Sequence, residues 1–587
     1  MAVIPFVGQA YNLSPSVQLD NQNCINWYLT ADPYGKSQNA LLPRPALKVF
    51  SPDNSEYCNR GALSINDVLY VVIDNKFYLC DRNGNRKEKG TLKTATGLVS
   101  LMANDNQIFI SDGRYGYVYQ IYKNEFHEAE EFFVITAASS LVGEPTFSGT
   151  GLNDMTTLGE YSGEVNREYR VVIDSIGTPD TFKWSQDNGE TFVEEKIQIT
   201  GSAQLLNNGV QVEFVHTTGH TGNDYWNFEA TSDSGFYVPV KPTYDDNRGI
   251  YIRRSSNNWG ISEINQFDRV NALAFAEASY IPDDLVTALT MKEEIWLIGM
   301  LTAEPWFDVG NVPFPYERRK SLVQNYGCIA TFSSVVTHDF IGVWLSQNRE
   351  GMRMVVALSG YEIQIISTEA INNEFRKYEV VEDAIGSTFQ WNGHIFYVLT
   401  FPTADRTWAY DFTTKAWCEF RCTLDNELPS GNPKRQGRFK ANWFAQFADK
   451  IVCGDFESGA IYELSDDVYT DNGEMIIFER TAPHFNDKNN LSRVEVNCVE
   501  IDCEKGKGTV TGQGEIPSYM LQISHDGGYT WGNEKWKNLG KSGEYKKRLR
   551  WNNLGTARNW LFKLRVTDPA YRTIYSAIAY IGQEVVE

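Results

Sequence analysis

Apolar residues along this chain come in short, dense runs rather than at helical spacing. The stretch WNGHIFYVLTFPTADRTWAYDFTTKAWCEF, residues 391–420, shows the pattern best. Residues 394–401 are aromatic and β-branched. Pro402, Thr403, Ala404 and Asp405 turn the chain, 407–412 runs back, and Thr413, Thr414 and Lys415 turn it again into 416–420. Runs of this kind, cut by Pro, Asp and Thr clusters, predict a strand–turn–strand meander. Alone it is marginal, because its apolar faces have nothing to cover them. It needs copies of itself or another layer.

Copies are present. An Asn, Asp, Lys or Glu turn, a strongly apolar strand, a small-residue turn and an aromatic strand recur, opening at Asp67, Asn106, Glu293, Asp339, Asn392 and Asp449. Where nothing intervenes, successive copies lie roughly 40 to 57 residues apart, a period that predicts a β-propeller platform of about six blades. The alternative is a generic all-β protein whose hairpins look alike because hairpins share one chemistry. No long stretch carries a 3.6-residue apolar repeat, so the chain is read as all-β.

With 587 residues the chain is too long for one ordinary core. Residues 1–60 read as an N-terminal arm with a short strand at 24–29. Pro43 and Pro45 are expected to forbid a central strand there. Such an arm closes a propeller ring by strand addition or reaches a neighbouring subunit. Residues 61–143 hold the first blades. From 144 to 232 the spacing breaks, and strands such as 168–174 and 208–215, in which Val210, Val212 and Phe214 share a face, predict an inserted β-sandwich module. The remaining blades follow over 233–479, and a C-terminal β-rich domain occupies 480–587.

The net charge of −22 argues against nucleic-acid binding over the whole surface. One region reverses that sign. Between Lys535 and Arg572 stand eleven basic residues opposed only by Glu544 and Asp568, with Trp536, Tyr545, Trp551 and Trp560 interleaved. Lys535, Lys537, Lys541, Lys546, Lys547, Arg548, Arg550 and Arg558 are therefore candidates to face DNA phosphates or an acidic partner. The bland reading is a solvated strand face.

The nine cysteines are scattered without a CxxC pair, and none of the seven histidines completes a zinc spacing. Free thiols, as in a protein made in the cytoplasm, are expected, and no metal. The opening MAVIPFVGQAYNLSP lacks the parts of a signal peptide, and no apolar run reaches membrane-spanning length. Two segments match S-x-D-x-G-x-T-W or its Phe variant, the Asp-box turn of sialidases and other propellers: Ser185, Asp187, Gly189 and Phe192, and Ser524, Asp526, Gly528 and Trp531. The Asp accepts backbone N–H groups, the Gly takes a positive φ, and the aromatic is expected to pack beneath the turn, so the box is structural. A sialidase-like enzyme would need converging arginines and paired carboxylates. Arg253/Arg254 and Arg318/Arg319 are neighbours in sequence, and neighbours in a strand point to opposite faces. No nucleophile elbow, HExxH, P-loop or dinucleotide fingerprint occurs, so no catalytic residue, cofactor or enzymatic activity is assigned.

AEPWFDVGNVPFPYERR (303–319), NYGCIATFSSV (325–335), GHIFYVLTFPTADRTWAYD (393–411), DDVYTDNGE (466–474), GTVTGQGE (508–515) and SHDGGYTWGNEKW (524–536) together resemble the tail hub, nozzle or packaged-DNA stabilisation proteins of short-tailed bacteriophages. The opening PFVGQAYNLSPSVQLDNQNCINWYL is similar to that family's start; the 144–232 module is not, and resembles small β-sandwiches inserted in virion proteins. The resemblance implies a propeller platform with added β domains and a homohexameric ring on the tail axis below the portal and its adaptor. It also implies a channel for double-stranded DNA, retention of the packaged genome, and sites for tailspikes, fibres or a plug or needle. The expected location is the virion tail. The alternative is a propeller-type glycan-binding adhesin or glycoside hydrolase of a virion.

Overall fold

The computed structural model describes residues 2–8, 11–32, 38–53, 57–135, 141–159, 161–162, 167–231, 238–278, 283–312, 314–348, 350–424, 436–486 and 492–582. Among these, seven four-stranded antiparallel units, blades 1 to 7, follow one another along the chain. Their first strands are Asn59–Ile65, Ser100–Ala103, Thr243–Asp245, Leu285–Met291, Val335–Val336, Ile385–Trp391 and Ala441–Phe447. Each touches the first strand of the next unit, and the seventh touches the first. A closed cycle of seven inner strands is a seven-bladed propeller. Six sequence openings mark six blades. The seventh is blade 3, whose turn at Asp246 and Asn247 comes directly after the insertion, where the spacing is broken.

The openings are Asn- and Asp-rich for a geometric reason. Asn66 and Asp67 (φ 50° and 59°), Asp246 and Asn247 (42° and 63°) and Asn392 and Gly393 (48° and 81°) are all left-handed. Two consecutive left-handed residues make the hairpin turn whose twist matches its strands, and Asn, Asp and Gly tolerate it best.

One apolar cluster fills each junction between blades. In blade 1, Leu69, Val71 and Ile73 pack against Trp443, Phe447 and Val452 of blade 7. The alternate residues Tyr70 and Val72 pack against Ile108, Ile110 and Tyr117 of blade 2. Both faces of a blade's centre are covered, so its second strand, Val68–Ile73 in blade 1, reads as a continuous apolar run instead of an alternating one. Close approach at the inner strands needs small residues: a Cβ on Gly386 would sit 2.2 Å from the Ser333 carbonyl oxygen.

The N-terminal segment ties this ring to the rest of the chain. Ala46–Ser51 pairs with Ile461–Ser465 as the outermost strand of blade 7. Cys24–Ile25 runs parallel to Ala416–Glu419 of blade 6 and antiparallel to Phe478–Thr481, making a nine-stranded sheet from blade 6 and one layer of a C-terminal sandwich. Ala2–Ile4, Trp27–Ala31 and Asn39–Pro43 enter the opposing layer, with Val494–Cys503, Leu549–Ala557 and Ile574–Ile581. The prolines do not keep this segment out of a sheet interior. Pro43 ends a strand lying between Trp27–Ala31 and Ile574–Ile581, and Pro45 immediately precedes Ala46–Ser51. At a strand end the missing N–H removes no ladder bond. A single apolar cluster runs from Phe396 and Val398 of blade 6 and Tyr462 of blade 7 to Val496, Leu564 and Ala577 of the sandwich.

The described residues between 141 and 231 form two further sheets, inserted between the outer strand of blade 2 and the inner strand of blade 3. Val171, Trp184 and Trp226 of one pack on Met155, Val212 and Phe214 of the other. Arg114 of blade 2 pairs with Glu144 at 2.7 Å. All nine cysteines are free; burial pushes Cys24, Cys80 and Cys328 up to about 11, which keeps them as unreactive thiols at neutral pH.

Where arm, blade and sandwich meet, Arg44 is fully buried. Its guanidinium donates to Asn26 Oδ1 (2.8 Å), the Arg421 carbonyl (2.9 Å) and Asp471 Oδ1 (3.1 Å). Asp471 also accepts from the Leu47 amide at 3.0 Å. Arg44→Ala leaves that carboxylate buried without its cation, so unfolding in denaturant is expected to lose about 3–5 kcal/mol. Arg44→Ala combined with Asp471→Ala is expected to cost less than the sum of the single changes.

Candidate functional site

The two Asp-box turns share one hydrogen-bond scheme. In the insertion, Gly189 N donates to Ser185 Oγ (2.8 Å) and Thr191 N to Asp187 Oδ1 (2.9 Å). In the C-terminal sandwich, Gly528 N donates to Ser524 Oγ (2.8 Å) and Thr530 N to Asp526 Oδ1 (3.0 Å). Gly189 and Gly528 take φ of 91° and 100°. These donors hold both carboxyls below the usual range: Asp187 at about 2, through the Ser185 and Thr191 hydroxyls and then the Thr191 amide, and Asp526 lower still, through the Thr530 hydroxyl, then its amide and the Ser524 hydroxyl. The aromatics do not lie fully beneath their turns. Phe192 and Trp531 are half-buried, each with a lysine ammonium 4.1 Å from the ring centroid: Lys183 over Phe192 and Lys563 over Trp531.

The basic candidates lie on one part of the sandwich but in different states. Lys535 and Lys537 are exposed on Lys535–Asn538, the terminal strand of the nine-stranded sheet. Lysine on an edge strand blocks pairing with another sheet, which gives these two a structural task. The following loop is split. Lys541 pairs with Glu515 (2.9 Å) and Arg548 with Glu500 (2.6 Å). Lys546 and Lys547 are exposed and take no carboxylate among the described residues, and Tyr545 beside them is 69 % exposed. Arg550 lies over the Tyr580 ring, Arg558 is exposed, Arg565 pairs with Glu479 and Glu534, and Arg572 is buried. The uncompensated charge of the loop is thus concentrated at 546–547.

A second feature has no linear signature. A cleft of about 870 Å³ opens between blades 3, 4 and 5, at the turns joining first to second and third to fourth strands. Asp245 and Asp246 come from blade 3, Glu293, Glu294 and Asp308 from blade 4. Arg319 is already paired with Glu294 and covers the Phe307 ring at 4.1 Å; Tyr361 also donates to Glu294 (2.7 Å). Phe340 and Tyr361 of blade 5 are 52 % and 40 % exposed. Asp245 is 7 % exposed and accepts from the Tyr316 hydroxyl at 2.9 Å. Burial raises it to about 6 against that hydrogen bond, and the charges of Asp246 and Asp308 add to the rise. Among the described residues no three His, Cys, Asp or Glu side chains are grouped to hold a metal ion. Arg318 and Arg319 engage different carboxylates, Glu304 and Glu294, so they form no converging pair.

Two family models match the chain, together over more than half its length. Bacteriophage P22 Gp10, β-propeller, matches residues 242–469, and Bacteriophage P22 Gp10, β-sandwich, matches 477–582. The chain belongs to the phage P22 Gp10 family. It is a structural tail protein of a short-tailed phage, a nozzle or hub component of the virion that stabilises packaged DNA. Blades 1 and 2 and the inserted sandwich lie outside the ranges matched to Gp10. No curated protein matches. Among solved structures, the computationally designed Ika8 protein is 9 % identical and covers 71 % of this chain and 99 % of its own, with a TM-score of 0.31. The N-terminal domain of Nup159 is 6 % identical over 76 % of this chain and 98 % of its own (TM-score 0.34). Kluyveromyces lactis Hsv2 is 8 % identical over 65 % and 99 % (TM-score 0.25). TM-scores this low support no functional transfer.

Two measurements follow from the electrostatics of this Gp10-family chain. Asp526→Asn is expected to lower the melting temperature at pH 7. The difference should shrink as the pH falls below 4, because a depressed carboxyl stabilises the fold only while it is ionised. Asp245 has the opposite sign. Its folded form keeps a proton that the unfolded chain has already released, so its contribution to stability falls as the pH rises from about 4 to about 6. Asp245→Asn should therefore stabilise the protein by about 1–2 kcal/mol at pH 7–8, allowing for screening on the cleft's open side, and by nothing at pH 4.

Proposed function

We propose that six copies of this chain ring the tail axis below the portal and its adaptor, extend the DNA channel, and anchor tailspikes, fibres or a plug. The reading includes no enzymatic chemistry. The observation that carries it is the Gp10 match over propeller and sandwich in chain order, residues 242–469 and 477–582. The fold supports it physically. Blades 6 and 7 share one apolar cluster with the sandwich, and blade 6 shares a nine-stranded sheet with it, which makes a stiff body fit to carry load along a tail. The net charge of −22 suits a passage in which DNA must slide, because tight neutralisation of phosphates would hold it.

The test is the mass of the full-length protein in solution, alone and mixed with a portal–adaptor complex. A monomer alone that becomes a six-fold ring on the portal is the expected result. A stable monomer or dimer that ignores the portal overturns the reading and turns attention to glycan arrays and hydrolase assays.

A further inference from the structure

We infer that the acidic cleft between blades 3, 4 and 5 receives the basic loop 545–547 of a second copy of this chain. The inference rests on the ring proposed above and names the surfaces that would build it.

The cleft is made for a cation. Five carboxylates line it, from Asp245 to Asp308, against Lys292 and Arg319, and Arg319 is already held by Glu294. Asp245 is more than nine-tenths buried, lines the cleft, and has no basic partner among the described residues. A buried carboxylate without a cation is costly, and an incoming ammonium removes that cost. A bound metal ion is disfavoured as the occupant, because the described carboxylates are not grouped to share one. The exposed rings of Phe340 and Tyr361 add a wall suited to an aromatic side chain or a lysine stem.

The same chain displays the matching group. Tyr545, Lys546 and Lys547 stand exposed in succession, and the two lysines lack carboxylate partners among the described residues. Unlike Lys535 and Lys537 they do not sit on a strand edge, so blocking of sheet pairing does not account for them.

Within one copy Lys546 and Lys547 pair with none of the cleft carboxylates among the described residues. The sandwich is joined to the ring at blades 6 and 7. The cleft is set in blades 3 to 5, outside that junction. A contact between the cleft of one copy and the loop of the next uses two different patches. Contacts of that kind generate a closed ring when the rotation between copies divides a full turn.

The experiment uses full-length protein and charge reversal. Glu293→Lys lies in an exposed turn and Lys546→Glu in an exposed loop, so melting temperatures should stay near wild type. Ring assembly is followed by mass photometry and sedimentation, with and without the portal–adaptor complex. Each single reversal is expected to weaken assembly at least about ten-fold, and a mixture of the two variants, or the doubly reversed chain, to recover most of it. Rings that form normally in both single variants overturn the contact and leave the hub reading standing. Wild-type protein that forms no ring overturns both. If Lys546→Glu weakens binding to duplex DNA, with a smaller salt dependence, while rings form normally, the loop meets DNA and the contact is overturned.

Discussion

The structure depends on where its N-terminal segment runs. Before blade 1 begins, residues 2–51 contribute strands to both layers of the C-terminal sandwich and to blade 7, and a link to blade 6. Arg44 stands at the crossing point, two residues before the strand that completes blade 7. Its guanidinium binds the Arg421 carbonyl of the chain leaving blade 6 and Asp471 of the chain entering the sandwich. A buried pair of this kind adds little over an apolar replacement but is expensive to break, because either partner left alone is a desolvated charge.

Ring closure then organises the packing. Each blade is sandwiched between two others, so both faces of its central strands are apolar, and aromatic side chains fill the junctions. Trp259, Trp296, Trp344, Trp408 and Trp417 are all essentially inaccessible to solvent. Because the apolar cluster of blades 6 and 7 continues into the sandwich, propeller and sandwich meet as one packed body at this point.

Charge is distributed on this frame unevenly. Acidic turn residues gather at the cleft of blades 3 to 5, where Asp245 is buried at the expense of stability. Unpaired lysines gather on a loop of the sandwich, which joins the ring at blades 6 and 7. In the proposed ring this division serves two ends: an acidic body would not bind the genome tightly, while localised opposite charges would orient protein contacts.

Much of the fold was legible in the sequence. The apolar runs and left-handed turn residues announce the blades, since local hairpin chemistry dictates both; blade 6 follows the pattern of 391–420 closely, with strands His394–Phe401, Arg406–Asp411 and Ala416–Glu419. Blade 3 went uncounted because the insertion displaced its period. The short helix Glu369–Arg376 was not visible, being too brief to show a repeat. The basic stretch 535–572 was visible as charge, but pairing of Arg548 with Glu500 and burial of Arg572 depend on strands distant in sequence. The cleft had no signal, because its walls come from turns between residues 245 and 361 that only the ring brings together. The sequence alone determined strands, turns and the family resemblance, all set by residues near one another in the chain. The tertiary structure decided which strand closes the ring, which charges remain unpaired and where a cavity lies, because those depend on groups hundreds of residues apart.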